Sequence, residues 1–319
     1  MTNGKDDNMN TIAYTDKYPR SIWKAFTLLV YITLIKAIIE IGVNIIAAAY
    51  VGIYTGISGG DFDLIINGSL NTINLTAVAV SDFILISVLL YLTRKRRIQA
   101  IPFKETFKVR PSLKVAVCGV LGVFFISLLG GLVTQSFSGI FQAEIPEQIE
   151  AMMQVEAVLN FETLMTLITV VIAAPLFEEF LLRKIMMDGL LRRYDAKIVI
   201  VISALFFAVF HMNIVQGAYT FILGLYLAYL YYKTGSLWLV TLIHATNNLY
   251  AVLVRVIPES IANIGATGLM FAGLVSLIIL YLDLKNSSIQ WIDRPDLNEE
   301  ADEALADEDL ASEVVTEEN

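Results

Sequence analysis

The chain has 319 residues, of which 56% are hydrophobic and 17% are charged, and its mean hydropathy is +0.67. A soluble domain carries about a quarter charged residues. This chain instead gathers its apolar residues into runs of roughly 20, the length that crosses about 30 Å of hydrocarbon. The composition excludes a soluble globular enzyme and a disordered chain. A disulfide-built secreted domain is also excluded, because Cys118 is the only cysteine.

Eight apolar segments predict an all-α, polytopic membrane bundle of about eight transmembrane helices. Backbone groups inside lipid must be satisfied within each segment, so each span is expected to be a helix. The spans run from 23 to 51, 75 to 92, 114 to 135, 163 to 191, 197 to 212, 217 to 232, 237 to 257 and 267 to 282.

The basic residues predict the orientation of the bundle. The loop from 94 to 114 holds eight Lys and Arg residues, whereas the loops from 52 to 74 and from 136 to 161 hold none. Loops rich in Lys and Arg stay in the cytoplasm, so this loop and both termini are predicted to be cytoplasmic. Four further basic residues fall on the same side: Arg192, Arg193, Lys197 and Lys233.

The net charge of −9 arises from the C-terminal tail. Residues 296–318 contain 11 acidic residues and no Lys or Arg, and the rest of the chain has 22 basic against 20 acidic residues. Such a segment is predicted to be disordered and solvated. It argues against nucleic acid as a partner, since a polyphosphate would be repelled.

Ionisable residues inside apolar spans indicate the candidate site. Each one raises the free energy of membrane insertion by about 2.5–3.5 kcal/mol at mid-helix, so it needs a partner or a function. The notable ones are predicted to cluster in the fourth, fifth and seventh spans. In the fourth span, Glu178 and Glu179 follow Pro175. Arg183 lies four residues after Glu179, on the same helical face, and this spacing predicts an ion pair between them. Glu178 points to another face and is not paired by that arginine.

The two histidines of the chain both lie in spans. His211 ends an aromatic run that includes Phe207, and His244 is four residues before Asn248. At a rise of 1.5 Å per residue, Glu178 and these three polar residues lie about 16–22 Å from the cytoplasmic ends of their helices. This shared depth favours one site over separate ion pairs.

Glutamate, histidine and asparagine can activate water and stabilise an oxyanion. A glutamate can accept the proton of a water that a histidine also holds, and a second histidine and an amide can donate to the oxyanion. The same Glu178, His211 and His244 form a ligand set that zinc accepts, so a divalent metal ion is an alternative. A nucleophilic triad is the weaker design, because no serine or cysteine at this depth has a base beside it.

Three motifs in series resemble those of the CAAX protease and bacteriocin-processing (CPBP, or Abi) family, relatives of type II CAAX prenyl endopeptidases. They are Glu178-Glu179-x-x-x-Arg183, Phe207-x-x-x-His211 and His244-x-x-x-Asn248, and the resemblance covers about 163 to 254. It implies an intramembrane endopeptidase of eight helices whose active-site cavity opens to the cytosol.

The resemblance also implies the roles of the motif residues. Glu178 and His211 would position the attacking water, and His244 and Asn248 would form the oxyanion hole. Glu179, Arg183 and Phe207 would support the site. Members of the family are often described as metalloproteases, although a metal-free glutamate mechanism has been argued for the prenyl-processing branch.

The chain is therefore predicted to contain a cytoplasmic segment (1–22), N-terminal helices and loops (23–160), a CPBP-type catalytic membrane core (161–284) and an acidic cytoplasmic tail (285–319). The predicted function is hydrolysis of a peptide bond in a membrane-associated protein or peptide, of the CAAX or the bacteriocin or leader type. Alternatives are a catalytically silent scaffold or immunity protein, and a proton-coupled transporter, which should show broken helices in paired halves. Membrane lipid and a membrane-bound substrate are the expected partners in the cell membrane.

Overall fold

The computed structural model describes residues 21–95, 111–141, 160–191, 193–254 and 259–285, and these form eight helices and no strands. The predicted all-α membrane bundle is confirmed. The helices are α1 (Ile22–Ser58), α2 (Phe62–Lys95), α3 (Leu113–Phe141), α4 (Phe161–Leu190), α5 (Ala196–Phe210), α6 (Ile214–Thr234), α7 (Leu237–Leu253) and α8 (Glu259–Leu284). The predicted acidic tail and most of the basic loop lie outside the described residues, and the predicted domain division stays a prediction.

The α2 helix begins 13 residues before the predicted start at residue 75, because helical hydrogen bonding does not stop where the apolar run stops. Asp61 caps the helix by accepting the backbone N–H of Leu64 at 3.1 Å. In the polar first turns, Asn71 donates to the carboxylate of Glu162 in α4. These turns look like a loop by composition, but capping and a partner helix stabilise them.

Six of the eight helices are long and apolar enough to cross a membrane, and α5 and α7 are shorter. With 15 and 17 residues, α5 and α7 are about 22 and 25 Å long. Both are shorter than the roughly 30 Å hydrocarbon layer. Because α5 begins beside the basic Arg193 and Lys197, its other end, at His211, lies inside that layer. Short helices of this kind can therefore end, with their polar side chains, inside the hydrocarbon layer.

Sharp turns join α5, α6 and α7. Met212 adopts a left-handed conformation with φ of 53°, and Asn213 caps α6 by accepting from the N–H groups of Val215 and Gln216. Gly235, with φ of 63°, ends α6 one residue before the Ser236 cap of α7. A left-handed methionine is strained, and this strain lies directly after His211.

The α4 helix contains two π-helical segments, Leu167–Ala173 and Phe180–Met187. In the first, the N–H of Ala174 donates five residues back, to the carbonyl of Thr169. The next donor in this register would be residue 175, but Pro175 has no N–H. The carbonyl of Val170 therefore needs a partner from outside the helix. Both carboxylates of the first motif lie in the short α-helical stretch between the π segments.

Two close helix contacts depend on glycine. A Cβ on Gly224 of α6 would lie 3.0 Å from the Cα of Ala204 in α5. A Cβ on Gly273 of α8 would lie 2.8 Å from the carbonyl oxygen of Leu121 and 2.9 Å from the backbone nitrogen of Phe125, both in α3. Backbone atoms cannot move aside as a flexible side chain can, so these glycines set the spacing of α5–α6 and α3–α8.

Gly273→Ala is expected to destabilise the protein by about 1–3 kcal/mol, the usual cost of overpacking, because the new methyl group would displace α3. The measurement is thermal unfolding of the purified protein in detergent. The matched control is Gly268→Ala in the same helix, where a Cβ meets nothing within 4 Å; it should be neutral or slightly stabilising. Equal unfolding temperatures for the two variants would contradict the close α3–α8 contact.

Candidate active site

A fully buried ion pair connects three helices at the centre of the bundle. Arg183 Nε donates to Glu179 Oε2 at 2.8 Å, and neither side chain is exposed. The ion pair predicted from their spacing is therefore present. Arg183 Nη1 also donates to Ser203 Oγ in α5, and His244 Nδ1 in α7 lies 3.1 Å from Glu179 Oε1. The carboxylate of Glu179 thus has a cation on one side and an imidazole on the other.

The ring of Phe207 contacts both imidazoles. Its centroid lies 4.9 Å from that of His211 and 5.3 Å from that of His244, and both rings meet it edge to face. The guanidinium carbon of Arg183 lies 5.6 Å from the same centroid. Phe207 is fully buried, so it fixes the spacing between the histidines.

The hydrogen bonds of the histidines determine which ring nitrogen faces the cavity. His211 Nδ1 lies 2.8 Å from the carbonyl oxygen of Phe207. Since a carbonyl only accepts, this nitrogen carries the hydrogen, and Nε2 of the neutral ring is an acceptor. By the same reasoning His244 Nδ1 donates to the Glu179 carboxylate. Its Nε2 is directed to the neighbouring Glu178.

Glu178 lies on a different face of α4 from Arg183, as the spacing predicts. Its Oε2 is 3.8 Å from His244 Nε2, too long for a hydrogen bond. The same oxygen is buried and has no hydrogen-bond partner among the described residues. The side chain retains 12% exposure. Glu178 lines the cavity with the part of its side chain that is exposed, and there a water molecule can reach the acid.

Asn248 supplies the partner that Pro175 removes from α4. Its Nδ2 donates to the carbonyl oxygen of Val170 at 2.8 Å, the carbonyl that the π-helical register leaves without a donor. Its Oδ1 accepts from Asn247 at 3.2 Å. An amide group has two N–H donors, so one hydrogen of Asn248 has no partner among the described residues.

Asn247 was not singled out by the sequence, although it orients Asn248. It is 3% exposed, and its Oδ1 accepts from the hydroxyls of Ser127, at 2.7 Å, and Tyr219. These hydroxyls come from α3 and α6. A second asparagine inside an apolar helix, next to the one already chosen, was the available signal.

A cavity of about 370 Å³ lies between α3, α4, α6 and α7. Glu178, His211, His244 and Asn248 all line it. The structure therefore brings together the polar residues that shared depth predicts, from three separate segments of the chain. Their catalytic roles stay predictions.

The cavity lies in the half of the bundle away from the basic loop, as its lining residues in α3, α6 and α7 show. Its deep end includes the buried Leu223 and His244, whereas Gly131 and Val254 at its other end are exposed. Gly131 lies in the half of α3 remote from the basic loop, and Val254 follows the end of α7 remote from Lys233. If the basic loop is cytoplasmic, the cavity lies in the half of the bundle away from the cytoplasm. The resemblance implies a cavity that opens to the cytosol, and both the orientation and the opening stay predictions.

The proposed zinc ligands do not form a metal site in this geometry. Among the described residues, no three His, Cys, Asp or Glu side chains come together as a set that could hold a metal ion. The rings of His211 and His244 each contact the ring of Phe207 edge to face.

The prediction that the notable ionisable residues lie only in the fourth, fifth and seventh spans was wrong. Lys36 and Glu40 in α1 and Asp82 in α2 lie within apolar helices as well. Asp82 is 1% exposed and forms an ion pair with Lys36. The signal was present in the sequence as a Lys and a Glu four residues apart, on one helical face, inside the first apolar run.

The fold and the cavity define an integral membrane protein with a polar site between its helices. Residues 160–250 match the family described as type II CAAX prenyl endopeptidase Rce1-like. The resemblance of the three motifs to the CAAX protease family is thus confirmed for this segment, which covers less than a third of the chain. Neither a curated protein nor a solved structure matches the chain significantly.

Arg183→Met is expected to destabilise the protein by about 3–5 kcal/mol, because it leaves the buried carboxylate of Glu179 without its cation. The double variant Arg183→Met/Glu179→Gln should recover much of this loss, because both charges are then absent. Thermal unfolding of the two single variants and the double variant measures the coupling. Additive losses would show that the pair does not stabilise the helices jointly.

Proposed function

We propose that the protein is an intramembrane endopeptidase in which Glu178 activates a water molecule. The observation that carries this proposal is the cavity itself: an acid, two imidazoles and an amide line one cavity inside an apolar bundle. The match of residues 160–250 to a family of prenyl endopeptidases supports the same activity.

In the proposed mechanism, Glu178 is the general base. Water attacks the carbonyl carbon of the scissile peptide bond and transfers a proton to the Glu178 carboxylate. The tetrahedral intermediate then collapses, the C–N bond breaks, and Glu178 returns the proton to the leaving amine. Proton transfer by a positioned side chain contributes typically 10²- to 10⁴-fold to the rate. His211 Nε2, the acceptor nitrogen of the neutral ring, holds the second hydrogen of the water.

Stabilisation of the oxyanion is assigned to Asn248 and His244. The second amide hydrogen of Asn248 is held in place, because Val170 and Asn247 already fix the rest of the amide. His244 contributes a second donor when both of its nitrogens carry hydrogen, since Glu179 holds Nδ1. A preorganised donor of this kind is typically worth about 2.7–4 kcal/mol.

The proposed substrate is a peptide segment that enters from the membrane. The cavity volume of about 370 Å³ lies at the lower end of the range for ligand pockets. It can hold a short stretch of extended peptide and cannot hold a folded domain. A CAAX-like C-terminus and a bacteriocin or leader peptide both meet this requirement.

We also propose that both termini are cytoplasmic and that the cavity opens on the opposite side. This orientation rests on the eight basic residues of the loop from 94 to 114, with Arg193 and Lys233 at the same end of the bundle. It places the scissile bond in the half of the bilayer away from the cytoplasm. A substrate with its cleavage site on that side is therefore preferred.

Glu178→Ala and His211→Ala are each expected to abolish cleavage while the protein still inserts and folds, because both side chains face the cavity and neither belongs to the buried ion pair. The measurement is mass spectrometry of membrane peptides from cells that express each variant. The control is Glu162→Ala, which removes an acid of the same helix that contacts Asn71 and does not line the cavity. Peptide products that persist unchanged in Glu178→Ala would refute the mechanism.

Single cysteines should reveal the orientation of the cavity. In a Cys118→Ala background, Thr134→Cys and Val254→Cys at the open end are expected to react with a membrane-impermeant thiol reagent added outside intact cells. Lys233→Cys, at the opposite end, should react only after permeabilisation. The reverse pattern would place the cavity on the cytoplasmic side and show that the basic loop does not determine the orientation.

A further inference from the structure

Two residues of α3 lie close to side chains of α6 and α7 beside the cavity. Ser127 and Gly130 are three residues apart, the spacing that places two residues on one face of a helix. The α3 helix packs on both α6 and α7. Because α3 lies outside the family match at 160–250, the match assigns neither residue a role.

Gly130 makes room for the ring of Tyr219 in α6. A Cβ on Gly130 would overlap Cδ2 and Cε2 of that ring and would lie 3.2 Å from its Cγ. These atoms belong to a rigid ring, so a side chain at residue 130 would have to move the whole ring and the hydroxyl with it. That hydroxyl donates to Asn247 Oδ1 in α7. The missing side chain at residue 130 therefore sets the position of the Tyr219 hydroxyl.

The carbonyl of Val170 determines the direction of a chain of hydrogen bonds. A carbonyl only accepts, so the atom of Asn248 that contacts it, at 2.8 Å, is the amide nitrogen. The amide oxygen of Asn248 then faces Asn247, which must donate to it through Nδ2, at 3.2 Å. This leaves Asn247 Oδ1 as the acceptor for Tyr219. Groups from α6, α7 and α4 thus form one chain in which every donor points the same way.

Ser127 supports the same chain less fully. Its Oγ lies 2.7 Å from Asn247 Oδ1 and 2.8 Å from the carbonyl oxygen of Val123, so its one hydroxyl hydrogen has two acceptors within reach. Asn247 therefore receives only part of that hydrogen bond. Loss of the Tyr219 hydroxyl is expected to matter more than loss of the Ser127 hydroxyl.

We propose that Tyr219 is a positioning residue for the oxyanion donor and acts through Asn247 on the amide of Asn248. Gly130 sets the place of Tyr219, so α3 belongs to the working site. This inference rests on the proposed role of Asn248 in binding the oxyanion. Hydrogen bonds in a chain polarise one another, so an amide whose oxygen accepts a hydrogen bond is a stronger donor at its nitrogen. A donor held in place in advance needs no reorganisation when the charge develops.

The test is nuclear magnetic resonance of the full-length protein in lipid nanodiscs, isotope-labelled at the asparagine side chains, and it needs no substrate. The side-chain amide signals of Asn248 are assigned by their loss in Asn248→Ala, and the exchange of their hydrogens with water is measured. Tyr219→Phe removes the hydroxyl and keeps the ring. It should raise the exchange rate by about 2- to 12-fold, the effect of losing one intramolecular hydrogen bond. Ser127→Ala should raise the rate less.

Gly130→Ala tests the packing of the ring. It should raise the exchange rate of Asn248 at least as much as Tyr219→Phe, because the new methyl group displaces the ring and its hydroxyl. The matched control is Gly139→Ala in the same helix, where a Cβ meets nothing within 4 Å; it should leave the rate unchanged. An unchanged rate in Gly130→Ala would overturn the role assigned to that glycine.

A double-variant measurement separates positioning from a general loosening of the fold. In an Asn247→Leu background the path from Tyr219 to Asn248 is already broken, so adding Tyr219→Phe should change the rate by less than about twofold. Asn247→Ala replaces Asn247→Leu if the leucine variant does not fold. An unchanged rate in Tyr219→Phe alone, or its full effect in the Asn247 background, would overturn the inference.

Peptide cleavage is scored separately, by mass spectrometry of membrane peptides from cells that express each variant. If Tyr219→Phe raises the exchange rate and leaves cleavage unchanged, the chain of hydrogen bonds stands and the proposed oxyanion role of Asn248 fails. If the exchange rate is unchanged, the inference fails whether or not cleavage is lost.

Discussion

The structure depends on the cost of placing charge in hydrocarbon. Glu179, Arg183 and His244 offset this cost by contacting one another. The guanidinium and the imidazole contact the same carboxylate, and both the glutamate and the arginine are fully buried. Breaking such a group exposes one uncompensated charge to the interior. The network therefore fixes how α4, α5 and α7 sit against one another, and the neighbouring Glu178 is not part of it.

Irregular helix geometry serves the same site. The π-helical segment before Pro175 leaves the carbonyl of Val170 without a helical donor, and Asn248 of α7 supplies one. The contact holds Asn248 at the cavity wall, and the other amide hydrogen has no partner among the described residues. Helical irregularities of this kind occur frequently at functional sites. Here a defect in the backbone of α4 positions a side chain of α7.

The helices could be predicted from the sequence. The polar contacts between side chains of different helices could be predicted less well. Apolar runs predicted each of the eight helices among the described residues, because the bilayer leaves the backbone no other way to satisfy its hydrogen bonds. The start of α2 was misplaced, because the capping residue Asp61 and the contact of Asn71 with Glu162 do not follow from hydropathy. The distance of each residue from the cytoplasmic end of its helix predicted a shared depth for Glu178, His211, His244 and Asn248. In the structure all four line one cavity.

The sequence by itself determined the class of the protein, its helices and the Glu179–Arg183 pair, since these depend on composition and on the fixed geometry of one helix. Only the tertiary structure decided which groups from different helices meet. Spacing along a chain carries no information about the rotation of one helix relative to another. For that reason only the packed helices show that His244 contacts Glu179 and that Lys36 contacts Asp82. They also show in which half of the bundle the cavity lies.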